Sequence, residues 1–315
     1  MFKSITVAGI DTAKAKLDIA VFGQAECWQV ENAHSGWQSL GARLLNAGIV
    51  RVGIEATGGY ERGVVAHLRA LGFEVLVLQP MQVKAHARKH GRRAKNDKID
   101  AQLIAECAAD LEMPDIAPDK RLEALAPATT YLEQIEDDIT RLKIRLEHVE
   151  ERRVRRIIEA DITRLKARRS SEMARILDGL RAHADLARRF ELVASVDGIG
   201  ARTALAIVVR MPELGRISRE QAAALAGLAP FDDDSGKRKG QRYIAGGRAR
   251  LRRSLYAAAF PASSRWNRAL VDLYQRLIAR NKPHRLALVA CARKLLIFAN
   301  AVVQRDRPWE PNLAA

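Results

Sequence analysis

Val7-Ala-Gly-Ile-Asp11-Thr-Ala-Lys14 is the stretch on which the fold turns. Its small and apolar residues read as a buried strand that ends on a carboxylate. A second stretch of the same kind, Val52-Gly-Ile-Glu55-Ala-Thr-Gly-Gly, ends on Glu55. A third, Lys95-Asn-Asp97-Lys-Ile-Asp100-Ala-Gln, carries two carboxylates three apart at the start of a helical pattern. Asp97 and Asp100 therefore share one helix face. Four carboxylates that converge repel one another unless divalent cations neutralise them. Hard oxygen ligands of this kind suit Mg2+ or Mn2+.

Working outward, residues 5–10 and 17–22 are apolar runs separated by a polar turn and read as a hairpin. Residues 36–48 read as a helix ending at Gly48. Residues 50–54 form a further strand, 60–71 a helix closed by Gly72, and 73–78 a strand stopped by Pro80. Alternation of this kind argues for an α/β domain over residues 1–120, its sheet covered by helices.

From residue 121 the pattern changes. Leu132, Ile135, Ile139, Leu142, Leu146 and Val149 follow a heptad spacing with charges between them. The phase slips near Glu151, which predicts a bend or a helical hairpin inside a coiled-coil segment at 121–190. The seam is narrow enough to serve a second chain, so a homo-oligomer is expected; packing on its own chain is the alternative. Residues 191–300 read as a compact all-α domain, and 301–315 as a tail. Val196-Asp-Gly198-Ile-Gly200 resembles a helix-hairpin-helix turn, whose backbone N–H groups can hold a phosphate.

Charge narrows the partners. The 315 residues carry a net charge of +16, and 48% of them are hydrophobic. A polyanion is the natural partner. No 18-residue apolar run and no signal-peptide core are present, so no membrane role is expected. Cys27, Cys107 and Cys291 are far apart and odd in number. They suggest neither zinc nor a disulfide framework and fit a cytoplasmic location.

The cations are clustered. Lys84, Arg88, Lys89, Arg92 and Arg93 crowd the approach to Asp97 and Asp100, with His86 and His90 among them. Beside an acidic metal site they would hold a phosphodiester backbone. Residues 237–268 carry Lys237, Arg238, Lys239, Arg242, Arg248, Arg250, Arg252, Arg253, Arg265 and Arg268 and no acidic residue. That stretch is expected to contact nucleic acid. Ser235, in Asp234-Ser235-Gly236 at its head, is either a turn serine or a nucleophile beside cations.

Together these motifs resemble the DEDD transposases of the insertion-sequence 110 family, the bridge-RNA-guided recombinases. The resemblance covers nearly the whole chain. It rests on Gly9-Ile-Asp11 with Lys14, Glu55-Ala-Thr-Gly-Gly-Tyr60, Asn96-Asp97-Lys-Ile-Asp100-Ala, Gly198-Ile-Gly200, Leu225-Ala-Gly-Leu-Ala-Pro230, Asp234-Ser235-Gly236, Leu251-Arg-Arg-Ser-Leu-Tyr256, Tyr274-Gln-Arg-Leu, and Lys282-Pro followed by Ala292-Arg-Lys-Leu-Leu296. It implies an RNase H-like (RuvC-like) domain whose tetrad Asp11, Glu55, Asp97 and Asp100 holds the metal. It also implies a C-terminal transposase domain with Ser235 as the DNA-attacking serine. The implied partners are donor DNA, target DNA and a structured non-coding RNA. Asp197 departs from the proline usual before Gly198.

Three rivals remain weaker. A RuvC-like nuclease or resolvase without an RNA guide leaves the serine and the C-terminal half unexplained. A sugar-kinase or actin-like ATPase needs glycine where Ala13 stands. A non-catalytic coiled-coil protein leaves the four carboxylates unused.

Overall fold

The computed structural model describes residues 6–89, 97–111, 119–231 and 243–311, with backbone alone at 97–99 and 231. The chain divides into two compact units, Met1–Asp115 and Ile116–Ala315. The sequence reading placed breaks near residues 120 and 190.

The first unit runs β1 (Val7–Thr12), β2 (Lys16–Val21), β3 (Cys27–Glu31), α1 (His34–Asn46), β4 (Arg51–Glu55), α2 (Arg62–Ala70), β5 (Glu74–Leu78), α3 (Pro80–Lys89) and α4 (Asp97–Asp110). Its sheet has the order β3-β2-β1-β4-β5. The first three strands are antiparallel neighbours, while β4 and β5 run parallel to β1. Period-two alternation sorts side chains to two faces. Ala8, Ile10, Leu17, Ile19, Val52 and Ile54 face Leu40, Leu44, Val64 and Leu68 of α1 and α2. Val7, Leu76 and Leu78 face Val83 of α3 and Leu103, Ile104, Cys107 and Ala108 of α4.

Two elements differ from the reading above. Strand β3 is an edge strand of half-covered residues, and Gln29 and Glu31 dilute its apolar signal. Pro80 opens α3 rather than merely ending β5. Proline suits a first helical turn because the amide it lacks has no partner there.

The second unit runs α5 (Lys120–Glu147), α6 (Arg152–Arg181), α7 (Ala184–Ala194), α8 (Ala201–Arg210), α9 (Arg219–Leu225), β6 (Pro230–Phe231), β7 (Tyr243–Ile244), α10 (Ala249–Pro261), a π-helical turn (Ala262–Trp266), α11 (Arg268–Ala279) and α12 (His284–Arg305). The phase slip at Glu151 is a hairpin turn. Glu151 caps α6 by accepting from the N–H groups of Arg153 and Val154, both at 2.8 Å. Ile135 and Ile139 of α5 then pack on Ile158 and Ile162 of α6, with Leu142, Leu146, Val149 and Leu165 half-buried around them. The heptad seam is thus occupied largely within one chain. Leu122, Leu132, Ile176 and Leu180 join the core of α7, α8, α10 and α12, so the hairpin belongs to the C-terminal core at its base.

The expected all-α character of 191–300 gives way at one place. Strands β6 and β7 pair antiparallel and bracket residues 232–242. Helix α12 is long and apolar enough to cross a membrane by length and composition alone. Its buried residues, among them Leu288, Cys291, Leu295, Leu296 and Phe298, lie in the core of this unit. The tail begins docked. The ring of Trp309 lies 4.3 Å from that of Phe298, and its backbone N–H donates to Ser195 Oγ at 2.8 Å.

Candidate active site and nucleic-acid surfaces

Gly9 and Gly53 are partners in the β1–β4 register. A Cβ on Gly9 would stand 2.2 Å from the carbonyl oxygen of Ala101 and 2.3 Å from the amide nitrogen of Ala105. One on Gly53 would stand 2.6 Å from Ala108 Cβ. Helix α4 therefore lies directly on the backbone of two adjacent strands, which only glycine permits. Its direction is fixed at the other end. Arg51, the first residue of β4, donates through Nη1 to the carbonyls of Ala108 (3.3 Å) and Leu111 (2.9 Å).

From this the placement of the carboxylates follows. Asp11 and Glu55 are two residues beyond Gly9 and Gly53, on the same sheet face. The helix stripe Ala101–Ile104–Ala105–Ala108 continues back one turn to Asp97 and Asp100. The N-terminus of α4 thus lies over the carboxyl ends of β1 and β4. The positive end of the helix dipole favours carboxylates there. Carboxylates are hard oxygen donors of the kind that could hold Mg2+ or Mn2+. Asp11, Glu55 and Asp100 are described; the Asp97 side chain lies outside the described residues. Among the described residues no three His, Cys, Asp or Glu side chains converge as a metal group.

Two neighbours escaped the sequence reading. Asp18 is paired with Asp11 across the β1–β2 hairpin, so it shares that face. It is 5% exposed, with Lys16 Nζ at 3.1 Å and Gln29 donating to it. Hairpin register is the signal that could have found it. Asn32 clips two loops together. Its Nδ2 donates to the carbonyls of Ala13, after β1, and Tyr60, after β4, at 2.9 and 3.1 Å. Its Oδ1 accepts from Trp37 Nε1 at 2.9 Å. No sequence motif marks it. In the β4 loop, Gly58 and Gly59 take positive φ, and the Glu61 carboxylate accepts from the N–H groups of Thr57 and Gly59.

The basic stretches divide. Lys84, Arg88 and Lys89 are exposed on α3, whereas Arg92, Arg93 and His90 lie outside the described residues. His86 is turned in, with Nδ1 3.7 Å from Asp110. Ser235, Lys237, Arg238, Lys239 and Arg242 fall in 232–242 and also lie outside them.

The α10 arginines are matched by carboxylates from other elements, a pairing the sequence had not revealed. Arg248 makes a two-pronged contact with Glu213 at 2.8 and 2.6 Å. Arg250 meets Glu133 at 3.1 Å and Arg253 meets Asp137 at 3.0 Å. Arg252 Nη1 donates to the carbonyls of Ala226 and Gly246. Arg202 and Arg169 share Glu136, and Arg210 joins Glu133 at 2.9 Å. Arg248 and Arg252 are therefore largely structural. Arg250 and Arg253 border a groove of about 520 Å3 with the Gly198–Gly200 turn.

That turn is held from several sides. Gly198 has φ +93°, and a Cβ on it would stand 2.3 Å from Ala262 Cβ. Asn267 Nδ2 donates to the carbonyl of Asp197 at 2.9 Å, and Trp309 Nε1 donates to the Asp197 carboxylate at 3.3 Å. Asp197, the departure from proline, thus anchors Trp309.

Carboxylates at strand ends under one helix terminus, joined in sequence to a helical unit rich in arginine, are compatible with a class: enzymes that act on nucleic acid. The comparisons narrow it. Residues 8–149 match the family of IS110-type DEDD transposases, and residues 190–275 match the one described as "Transposase IS116/IS110/IS902 family". The chain belongs to the IS110 family of transposases. It is similar to the pilin gene-inverting proteins of Moraxella bovis and Moraxella lacunata. Each is 27% identical over 325 residues, covering 98% of this chain and 99% of the relative.

Proposed function

We propose that this transposase excises and inserts DNA under the guidance of a structured RNA, using a carboxylate metal site and a serine nucleophile. The observation that carries the reading is α4 seated on Gly9 and Gly53, with its N-terminus over the strand ends that bear Asp11 and Glu55. In this reading the first unit is RNase H-like. Asp11, Glu55, Asp97 and Asp100 would hold Mg2+ or Mn2+, and the bound ions would supply Lewis-acid stabilisation of the charge that builds up at the scissile phosphate. Asn32 keeps the loops after β1 and β4 at a fixed spacing, and Lys84, Arg88 and Lys89 hold the backbone.

Ser235 supplies the nucleophile. Its Oγ bonds to phosphorus and gives up its proton to a base, while the bond from phosphorus to the deoxyribose oxygen breaks and that oxygen takes a proton. The phosphodiester energy is kept in a protein–DNA link, and the released hydroxyl reverses the step on rejoining. Cations from the stretch that follows Ser235 balance the charge on phosphorus. Base pairing with the RNA chooses both DNA sites, as in other RNA-guided systems. The chain acts as a homo-oligomer in the cytoplasm, through the parts of the α5–α6 hairpin that the intramolecular seam leaves open.

The test is a trapped reaction on a denaturing gel. Wild-type protein with Mg2+ is expected to carry DNA covalently, mapping to Ser235. Ser235→Ala loses the adduct and recombination but keeps binding. Asp100→Asn loses cleavage by about a thousandfold or more, as removal of a metal-site carboxylate should. Cleavage with no adduct in the wild type points instead to a RuvC-like resolvase without covalent chemistry. Full activity of Asp100→Asn overturns the metal site.

A further inference from the structure

No acidic residue occurs between Leu273 and Arg305. That run reaches the surface where α11 meets α12, and an aromatic cluster sits there. Phe260, at the end of α10, is 57% exposed. Its ring centroid lies 6.4 Å from that of His284 at an interplanar angle of 84°. His284 stands 5.8 Å from Tyr274 at 85°, and the Tyr274 hydroxyl is 2.6 Å from His284 Nδ1. Three helices thus lock three rings together, and the outermost ring is left bare.

The charge around it differs from that on α10. The cations Arg248, Arg250 and Arg253 are paired with Glu213, Glu133 and Asp137. Arg280, which closes α11, and Lys282 and Arg285, which flank His284 in the chain, are exposed. Among the described residues none of these three has a carboxylate within salt-bridge distance. An exposed phenyl ring and unpaired cations are each uncompensated alone. A ligand with flat apolar faces and a regular negative backbone satisfies both, and single-stranded nucleic acid has that chemistry. A duplex keeps its base faces stacked and offers only the charge.

We propose that the Phe260–Tyr274–His284 corner is a stacking surface for an unpaired base, with the neighbouring phosphates on Arg280, Lys282 and Arg285. This rests on the nucleic-acid reading above and adds a place and a strand state to it.

The experiment uses the full-length protein, a fluorescent oligothymidylate of about 20 nucleotides and a duplex of equal length. Phe260→Ala is expected to weaken the single strand by about fivefold or more, the low end of a lost base–aromatic stack. Duplex binding should stay within about twofold of wild type. Phe260→Trp keeps a stacking face, so it retains single-strand affinity and gains indole fluorescence that the oligothymidylate quenches. The Lys282→Gln, Arg285→Gln double variant weakens both ligands and flattens the salt dependence. Equal loss of single strand and duplex in Phe260→Ala overturns the stacking role. So does unchanged single-strand binding, including the case where Phe260→Ala lowers the sedimenting mass and the patch meets a second copy. A wild-type protein that binds neither ligand sinks the nucleic-acid reading itself. Binding that is indifferent to Phe260 sinks only this inference.

Discussion

Asp11, Glu55 and Asp100 in the N-terminal unit and Glu133, Glu136 and Asp137 in the C-terminal unit are the same chemical groups in different frames. The first set sits where backbone meets backbone: two strand ends, two glycines and a helix laid on them. The second set is spread along one face of α5 and is clasped by Arg169, Arg202, Arg210, Arg250 and Arg253. In the first frame main-chain packing sets where the backbone of each acidic residue stands. In the second, long side chains do, and the reward is a cross-braced hairpin. Acidic residues near arginines are thus poor markers of chemistry in this molecule. Asp11 and Glu55 stand instead two positions beyond a packed glycine, where the proposed metal site would need them.

The largest test of that contrast is at the glycines. Gly9→Ala puts a methyl 2.2 Å from the Ala101 carbonyl oxygen, a backbone atom that cannot be trimmed. We expect a loss of about 3 kcal/mol, near the top of the overpacking range, with activity falling as α4 lifts. Gly53→Ala meets the Ala108 side chain instead, at 2.6 Å. It should be milder, and Ala108→Gly should restore much of it. Urea unfolding of the single and double variants measures both. If Ala108→Gly rescued Gly9→Ala equally well, α4 would not be seated as described.

Next in size is the loop clip. Asn32 bonds to the Ala13 and Tyr60 carbonyls but holds no metal in the proposed site. Asn32→Leu is expected to lower turnover by about tenfold, as loss of a positioning group does. It should raise the Mg2+ concentration needed for half activity and leave DNA affinity near wild type. A fall in DNA affinity with unaltered Mg2+ dependence would mean that the loops serve binding rather than the carboxylates.

Much of the first unit was legible because its signals are local. Strands β1, β2, β4 and β5 are short apolar runs between turns, and Asp11 and Glu55 stand at the ends of two of them. Strand β3 was not, since an edge strand needs only one covered face. Asn32 and Asp18 were not, because a loop clip and a cross-strand neighbour exist only once the register is set. The arginine-rich stretch at 237–268 was legible as charge but not as surface. Glu213, Glu133 and Asp137 reach it from 35 to 117 residues away in sequence. The heptads of α5 announced a seam, yet periodicity alone does not say whether the partner helix belongs to the same chain.

The smallest effect concerns one of those long-range pairs. Glu213, in the turn after α8, takes both prongs of Arg248. Burial pushes its carboxyl upward, but the hydrogen bonds and charge of Arg248 outweigh that and hold it below the usual carboxylate range. A carboxyl lowered in the folded state stabilises the fold above its unfolded pKa of about 4.3. That contribution is lost as pH falls through the lower, folded value. The pair is partly exposed, so about 1 kcal/mol is a fair size for it. Glu213→Gln should therefore melt below wild type at pH 7, and the gap should shrink as pH is lowered from 5 towards 3. Thermal melts of both proteins at several pH values measure it. A gap that stays constant down to pH 3 would assign the loss to packing around residue 213. A gap that closes would show that the charged pair is what ties the head of α10 to the turn after α8.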